Sequence, residues 1–410
     1  MKIWLKLLIG SIIGVVLGIY LPVNGGMQDL FKLLSEIIIR IGRYLLFPLI
    51  FFSLITGVFK LRENKKTIRV YLRSVIYLLL FSALLTVIGT LSVLILSPSR
   101  IPIIIEQGTP LMLKPLPEYL RAMFPENLFD LFNNPGDFLF PLYFFAVLVG
   151  LNLSFDKQLT RPAIQLFDSL SRIFYRINDL IVEIMGIGMI ALGAWLVLQI
   201  RLTPSLELFR QLLLVLLADL VLVILGVFPA ILYFLDKRRS NPYRWLYGAL
   251  APGLAAAFSG DNYFSIPFLI KTGHENLGIP RRIGSTTFPL FALFGKAGTG
   301  LVTGVSFVVI LKSYSSLGIT FAGVLWVMLF SFLLSFLTGN YPSLGFLASI
   351  ATMCTLYGQG LEEGYLILTP VIPMLISVSV FLNVMTSAVA SFLVADHEDL
   401  RKDVELPHFI

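Results

Sequence analysis

The chain has 410 residues, 57% hydrophobic and only 13% charged, a balance too apolar to cover the surface of a soluble protein of this length. A single cysteine, Cys354, excludes an intrachain disulfide and a cysteine-rich metal site, and His274, His397 and His408 lie far apart without ligand spacing. The net charge of +7 fits the basic cytoplasmic loops of a membrane protein better than nucleic acid binding, because the basic residues stand at segment boundaries rather than on one soluble face.

The opening MKIWLKLLIGSIIGVVLGIYLP has the charged start and apolar run of a signal peptide but no small-x-small cleavage site, so it is expected to remain as a first helix. Apolar segments lie at about 3–22, 34–59, 72–97, 136–154, 163–200 and 207–235, several of which reach or exceed the roughly 20 residues that span a bilayer. Basic residues gather after the even-numbered ones: Lys60, Arg62, Lys65, Lys66, Arg69 and Arg73, then Lys157 and Arg161, then Lys237, Arg238, Arg239 and Arg244. The loop after the third segment is acidic, with Glu106, Glu118, Glu126, Asp130 and Asp137 against Arg100, Lys114 and Arg121. This parity predicts a cytoplasmic N-terminus.

The parity breaks at about 247–270, whose flanks (Lys237–Arg244 before, Lys271, Arg281 and Arg282 after) both read as cytoplasmic. A re-entrant hairpin satisfies that pattern, and the turn-rich FSGDNYFSIP (258–267) supplies its tip. The run 283–311 then crosses outward, and 321–360 repeats the pattern around a break at Thr338–Gly345, with Glu362 and Glu363 outside. A last span at about 365–395 returns to Arg401 and Lys402, giving a cytoplasmic C-terminus. The expected fold is therefore an all-α polytopic membrane protein, with eight transmembrane helices and two opposed re-entrant helical hairpins in an inverted repeat. Broken segments in corresponding halves point to a transporter's substrate site near the midplane.

Several stretches carry a family resemblance. KLLIGSIIGVVLGIYLP, FPLIFFSLITGVF, PLFALFGKAGTGLVTG, GNYPSLG and FLNVMTSAVASFLVA occur in the order and spacing of the first, second and seventh helices, the second hairpin and the eighth helix of the dicarboxylate/amino acid:cation symporter (glutamate/aspartate transporter) family. The chain is similar to that family along nearly its whole length. The resemblance implies a homotrimer in the cell membrane (inner or plasma) that moves a small organic solute, an amino acid or dicarboxylate, by an elevator motion coupled to Na+ or H+, with membrane lipid around it and no resident cofactor. It divides the chain into scaffold helices 1–2 (1–70), helix 3 of a transport unit (71–97), an extracellular loop (98–135), scaffold helices 4–5 (136–205), helix 6 of the transport unit (206–240), a transport core (245–396) and a cytoplasmic tail (397–410).

The departures from the family pattern are chemical. Its seventh-helix Asn-Met-Asp-Gly-Thr reads Gly295, Lys296, Ala297, Gly298, Thr299, so two sodium-ligating side chains are missing. In the eighth helix Asn383 is kept, but the sodium-binding aspartate becomes Ser387, the substrate-carboxylate arginine Ser379 and the amino-holding aspartate Ile376. The first hairpin's serine-rich tip becomes Gly260, Asp261, Asn262, Tyr263, Phe264, Ser265. The resemblance thus nominates Asp261, Asn262, Ser265, Lys296, Thr299, Tyr341, Pro342, Gly345, Ser379 and Asn383 for substrate. For cation coupling it nominates Gly295, Asn383, Ser387, Ser335 and Thr338, together with Ser82, whose expected Tyr and Thr neighbours are Leu78 and Phe81.

Lys296 is the residue that composition alone flags. It stands about thirteen residues from either end of its run, roughly 20 Å at about 1.5 Å per residue, too far for its side chain to reach the interface. Charges placed mid-membrane are rare and usually functional. Lys296 is read as a tethered stand-in for a bound cation that neutralises Asp261, as a ligand for a substrate carboxylate, or as half of a buried packing pair; Asp261 has the further reading of a helix cap at its turn. Asp219, mid-segment in LLADLVL, is a candidate proton acceptor or a hydrogen-bonded buried carboxyl. Asp179 and Glu183 with Arg176 read as a local charge network, and His274 as a solvated loop histidine. An alternative to the symporter is a sodium-independent, proton-coupled carrier of a neutral amino acid, and another is an anion-conducting channel on the same fold. An enzyme is disfavoured, since no metal-ligand cluster, nucleophile with a histidine partner or phosphate-binding glycine loop is present in the sequence.

Overall fold

The structure, a computed structural model, describes residues 2–22, 25–103, 116–127, 129–133, 138–203, 206–236, 241–315 and 319–410. Glu106, Lys114, Asp137 and Lys237–Arg239 of the charge pattern lie outside the described residues. Among the described residues every regular element is helical.

Helix α1 (Ile3–Tyr20) leads to α2 (Gly25–Tyr44) and α3 (Leu46–Glu63), which are separated at Leu45. Pro48 explains the break: it has no N–H for the carbonyl of Tyr44, and regular bonding resumes with Leu49 N–H to Leu45 O at 2.9 Å. Next come α4 (Thr67–Leu96), the short α5 (Leu116–Met123) and α6 (Asp130–Asn133), α7 (Phe140–Asn152) and the 46-residue α8 (Lys157–Leu202). Helix α1 lies along α8 through Gly10, Gly14 and Gly18; a Cβ at Gly10 would stand 2.1 Å from Gly186 O, and one at Gly14 2.4 Å from Ile190 O. Small residues at four-residue spacing let two membrane helices touch backbone to backbone.

Helices α9 (Arg210–Val221) and α10 (Phe228–Leu235) form one rod through a π-helical turn at Leu222–Val227. Helix α11 (Pro242–Gly248) precedes the helix–turn–helix pair α12 (Leu250–Ser259) and α13 (Asn262–Glu275). Then follow α14 (Arg281–Phe294), α15 (Ala297–Tyr314), a second pair α16 (Phe321–Phe336) and α17 (Gly345–Tyr357), and α18 (Ile372–His397). The segment Arg281–Tyr314 is 94% buried over its apolar window and forms the centre, whereas the windows of α1, α9–α10 and α16 are at most 39% buried and leave leucines and isoleucines outward for lipid.

Among the described residues eight helical stretches are long and apolar enough to cross a membrane, as expected in number. Their membership differs. The fourth expected segment shrinks to α7, 13 residues or roughly 20 Å, short of the roughly 30 Å core, while Phe321–Asn340 reaches span length by itself. Three local expectations are also corrected. Lys296 is not inside a helix but in the break between α14 and α15, and the acids of α8 meet Lys271 of α13 (3.7 Å to Asp179, 3.5 Å to Glu183), brought there by tertiary packing that neighbour spacing cannot show. His274 is half-buried, with Nδ1 3.2 Å from Ile279 O, and burial holds its imidazole below the usual range.

Candidate substrate and ion site

The α12–α13 turn is built by two residues. Gly260, at φ +61°, closes α12 in the left-handed conformation that glycine adopts without strain. Asp261 then caps α13: its Oδ1 accepts from Tyr263 N (2.8 Å) and Phe264 N (2.9 Å). Its Oδ2 accepts from Ser343 Oγ at 2.9 Å and from Arg43 Nη2 of α2. The carboxylate is wholly buried, so the cap reading of the sequence and a charge pairing coexist, with Arg43 rather than Lys296 as the partner.

The turn between α16 and α17 meets this one face to face. Pro342 O accepts from both Asn262 N (3.2 Å) and Asn262 Nδ2 (2.9 Å), and Gly339 O accepts from Tyr263 OH at 2.8 Å. Arg43 also donates to Ser343 Oγ (3.2 Å) and lies over the Tyr263 ring at 5.8 Å, so one guanidinium from α2 ties both turns. In front of them lies a cavity of about 370 Å³, lined among others by Gly260, Ser343, Ile376 and Ser377 on one side and by Lys32, Glu36 and Gln199 of α2 and α8 on the other. Arg43 and Ser343 escaped the sequence reading; the signal available for Arg43 was the same as for Lys296, a cation inside an apolar run.

Behind the turns stand the α14–α15 break and α18. The Lys296 carbonyl accepts from Gly300 N at 3.1 Å and starts α15, while its side chain is wholly buried, with no hydrogen-bond partner for Nζ among the described residues. Asp261 and Arg43 are both within its electrostatic reach. Three residues on, Thr299 N donates to Asn383 Oδ1 (3.1 Å), Asn383 Nδ2 donates to Thr299 Oγ1 (3.0 Å), and Thr299 Oγ1 lies 3.0 Å from Ser379 Oγ. Gly298 permits this, since a Cβ there would stand 2.4 Å from Ser379 O. A Cβ on Gly345 would lie 3.4 Å from Thr338 Oγ1 and 3.9 Å from Thr299 Oγ1, which joins the second turn to the same cluster.

The remaining nominees are less central. Ser265, Ser335, Thr338 and Ser387 donate to carbonyls of their own helical turns (Asp261, Phe332, Ser335 and Asn383). Tyr341 N bonds Thr338 O, and Gly295 N bonds Phe291 O. Asp219 is buried on α9 and accepts from Ser92 of α4 at 2.8 Å, and Ser82 Oγ on α4 is buried without a partner; neither bonds a residue of the turns. No group of histidine, cysteine and carboxylate side chains with metal-holding geometry occurs among the described residues.

Two turns meeting inside an apolar bundle around buried charges suit the handling of a small polar solute in a membrane, and comparison with known proteins agrees. The pattern of the sodium:dicarboxylate symporter family matches residues 3–397. The chain belongs to that family. It is accordingly an integral membrane protein of a transporter family. Within the family it is similar to the serine/threonine transporter SstT of Streptococcus agalactiae, 24% identical over 396 residues, with 91% of this chain and 85% of that protein covered. It is 22% identical over 320 residues to the proton/sodium-glutamate symport protein of Geobacillus stearothermophilus (75% and 74% covered), and 24% identical over 358 residues to mouse excitatory amino acid transporter 3 (73% and 67%). Of the charged groups at the site, Asp261 and Lys296 were expected from the sequence, and Arg43, the partner of Asp261, was not.

Proposed function

We propose that the protein is a secondary active symporter that carries a small organic solute with a carboxylate, an amino acid or dicarboxylate, with Na+ or H+ across the cell membrane. The observation that carries this reading is the buried Lys296 side chain, whose Nζ has no hydrogen-bond partner among the described residues. With Arg43 and Lys296 against Asp261, the turns hold one more cation than anion when all three are ionised, and a buried excess charge is strongly unfavourable until an anion joins it. A substrate carboxylate supplies that anion. Thr299, Ser379 and Asn383, with Asn262, Pro342 and Gly345 at the turns, would orient the rest of the solute, and carbonyls around Gly295, Ser335 and Thr338 would serve a cation, those of Ser335 and Thr338 through the lone pair left by the one hydrogen bond that each accepts.

In this reading α12–α13 and α16–α17 are re-entrant hairpins entering from opposite faces, and with α4, α9–α10, α14–α15 and α18 they form a transport unit that slides as an elevator against α1–α3, α7 and α8. The arms α12 and α13 have 10 and 14 residues, or roughly 15–21 Å, too short to span, which supports the first hairpin; in the second, α17 has 13 residues while Phe321–Asn340 reaches span length. Both termini face the cytoplasm and the assembly is a homotrimer. A second reading, a proton-coupled carrier of a neutral amino acid, is favoured by the buried Asp219 beside the π-helical turn, a feature frequent at functional sites.

Uptake of labelled amino acids and dicarboxylates into proteoliposomes, first under a sodium gradient alone and then under a proton gradient alone, tests both. Carboxylate uptake driven by either gradient is the expected result. Uptake of neutral amino acids under protons only selects the second reading, and substrate-independent anion current without uptake sinks both.

A further inference from the structure

At the far end of α3 from the turns, a second cavity gathers charge. It measures about 150 Å³ and is lined by Lys60 of α3, Asp168 and Arg172 of α8, and Arg281, Arg282 and Ser285 of α14. Four cationic side chains thus face one carboxylate. Asp168 is saturated, accepting from Lys60 Nζ (2.6 Å) and Arg172 Nε (2.9 Å). Arg281 stacks on Tyr175 at 4.6 Å, and the Arg282 guanidinium has no ion pair among the described residues. Charge placement at cytoplasmic boundaries explains basic residues here, and Lys60, Arg172 and Arg281 are exposed, but it does not explain why all four line one cavity. Independently, the Ser285 hydroxyl lines that cavity while 1% exposed and without a hydrogen-bond partner among the described residues. It is held there because Gly57 lacks a side chain, whose Cβ would lie 2.2 Å from Ser285 Oγ.

We propose that this cavity binds a phosphate group, with the headgroup of an anionic phospholipid as its source. Arginine pairs bidentately with phosphate oxygens, and basic pockets between membrane helices at the cytoplasmic side suit anionic headgroups. The lipid source is favoured over free phosphate by the neighbouring cavity of about 510 Å³, which shares Thr56, Lys60 and Asp168 and continues over Phe59, Leu153, Ile164 and Phe167, a lining suited to an acyl chain. On the division into scaffold and transport unit proposed above, such a lipid bridges α3 and α8 to the first turn of α14, and so restrains their sliding.

The test is native mass spectrometry of the purified full-length protein with phosphatidylglycerol, phosphatidylcholine or inorganic phosphate, repeated on R281Q/R282Q and on S285A. Phosphatidylglycerol is expected to outlast phosphatidylcholine, with about a fivefold loss of affinity for each arginine removed and a smaller loss in S285A. Competition by inorganic phosphate, with no advantage for the lipid, keeps the phosphate site and assigns it to the free ion. Equal retention of both lipids without phosphate binding, or unchanged phosphatidylglycerol binding in R281Q/R282Q, overturns the proposal. S285A, small enough to leave the fold intact, gives an independent reading: unchanged affinity there removes the headgroup from this cavity. None of these readouts depends on uptake, so the proposal stands or falls apart from the transported solute.

Discussion

Two cations stand at two helix breaks, and the structure treats them oppositely. Arg43 lies two residues before the α2–α3 break and is bonded to Asp261 and Ser343. Lys296 lies in the α14–α15 break, deeper and wholly buried, with nothing among the described residues bonded to its Nζ. The reason lies in the acceptor. A carboxylate offers about four lone-pair sites, and Asp261 already receives Tyr263 N, Phe264 N, Ser343 Oγ and Arg43 Nη2. The buried acid of the turns is saturated before Lys296 can reach it. The first cation therefore works as an internal tie between α2 and the two turns, while the second has no bonded partner among the described residues and, in the function proposed above, meets the carboxylate of the solute.

The comparison breaks most visibly at Asp261. Asp261→Ala strips the cap from α13 and leaves Arg43 without its acid, so a stability loss of about 3–5 kcal/mol is expected, toward the lower end because Arg43 is 23% exposed. Thermal unfolding in detergent reads it directly. An unchanged midpoint would mean that the tie between α2 and the turns contributes nothing.

Lys296→Met should do the reverse. Removing an unpaired buried charge in favour of an apolar chain of similar length leaves the unfolding midpoint unchanged or raised. Uptake of a carboxylate substrate, by contrast, should weaken about 30-fold or more, the usual loss when one member of a buried charge pair is truncated. Equal uptake by variant and parent would remove Lys296 from both substrate binding and charge balance. A protein that unfolds more readily would instead make it a structural residue like Arg43.

These contrasts also mark where the sequence was legible. The helical class, the membrane setting and the broken segments follow from chain-wide hydropathy and from where Lys and Arg cluster, and those signals survive folding. Lys296 stood out because nothing apolar of that length tolerates a charge without a reason. Arg43 carries the same signal but sits near Lys32, Glu36 and Arg40, where it passes for the polar flank of its segment. Its acid is contributed by α13, and only packing of α2 against both turns reveals the pair. Likewise Arg176, Asp179 and Glu183, at successive turns, read as a network local to their helix, yet Lys271 from α13 meets both acids. Local spacing predicts neighbours on one helix and is silent about neighbours across helices.

The smallest expected effect concerns His274, a third basic side chain near a helix end and outside the spans. Burial lowers its pKa, opposed by the Ile279 carbonyl and helped by Arg281 and Lys402, while Asp179 pulls the other way. Because the folded pKa lies below the unfolded value of about 6.5, the folded state favours the neutral ring, so this contribution to stability is intact above about pH 6.5 and is lost as pH falls through the folded pKa. The group is half exposed, so the loss should stay below about 1 kcal/mol. Comparing unfolding midpoints at neutral and mildly acidic pH for the parent and His274→Gln isolates it: the parent should lose more on acidification than the variant. Equal slopes would mean that the imidazole stays solvated enough to titrate freely, and that the ring, unlike the Lys296 ammonium, is not held in a form set by its surroundings.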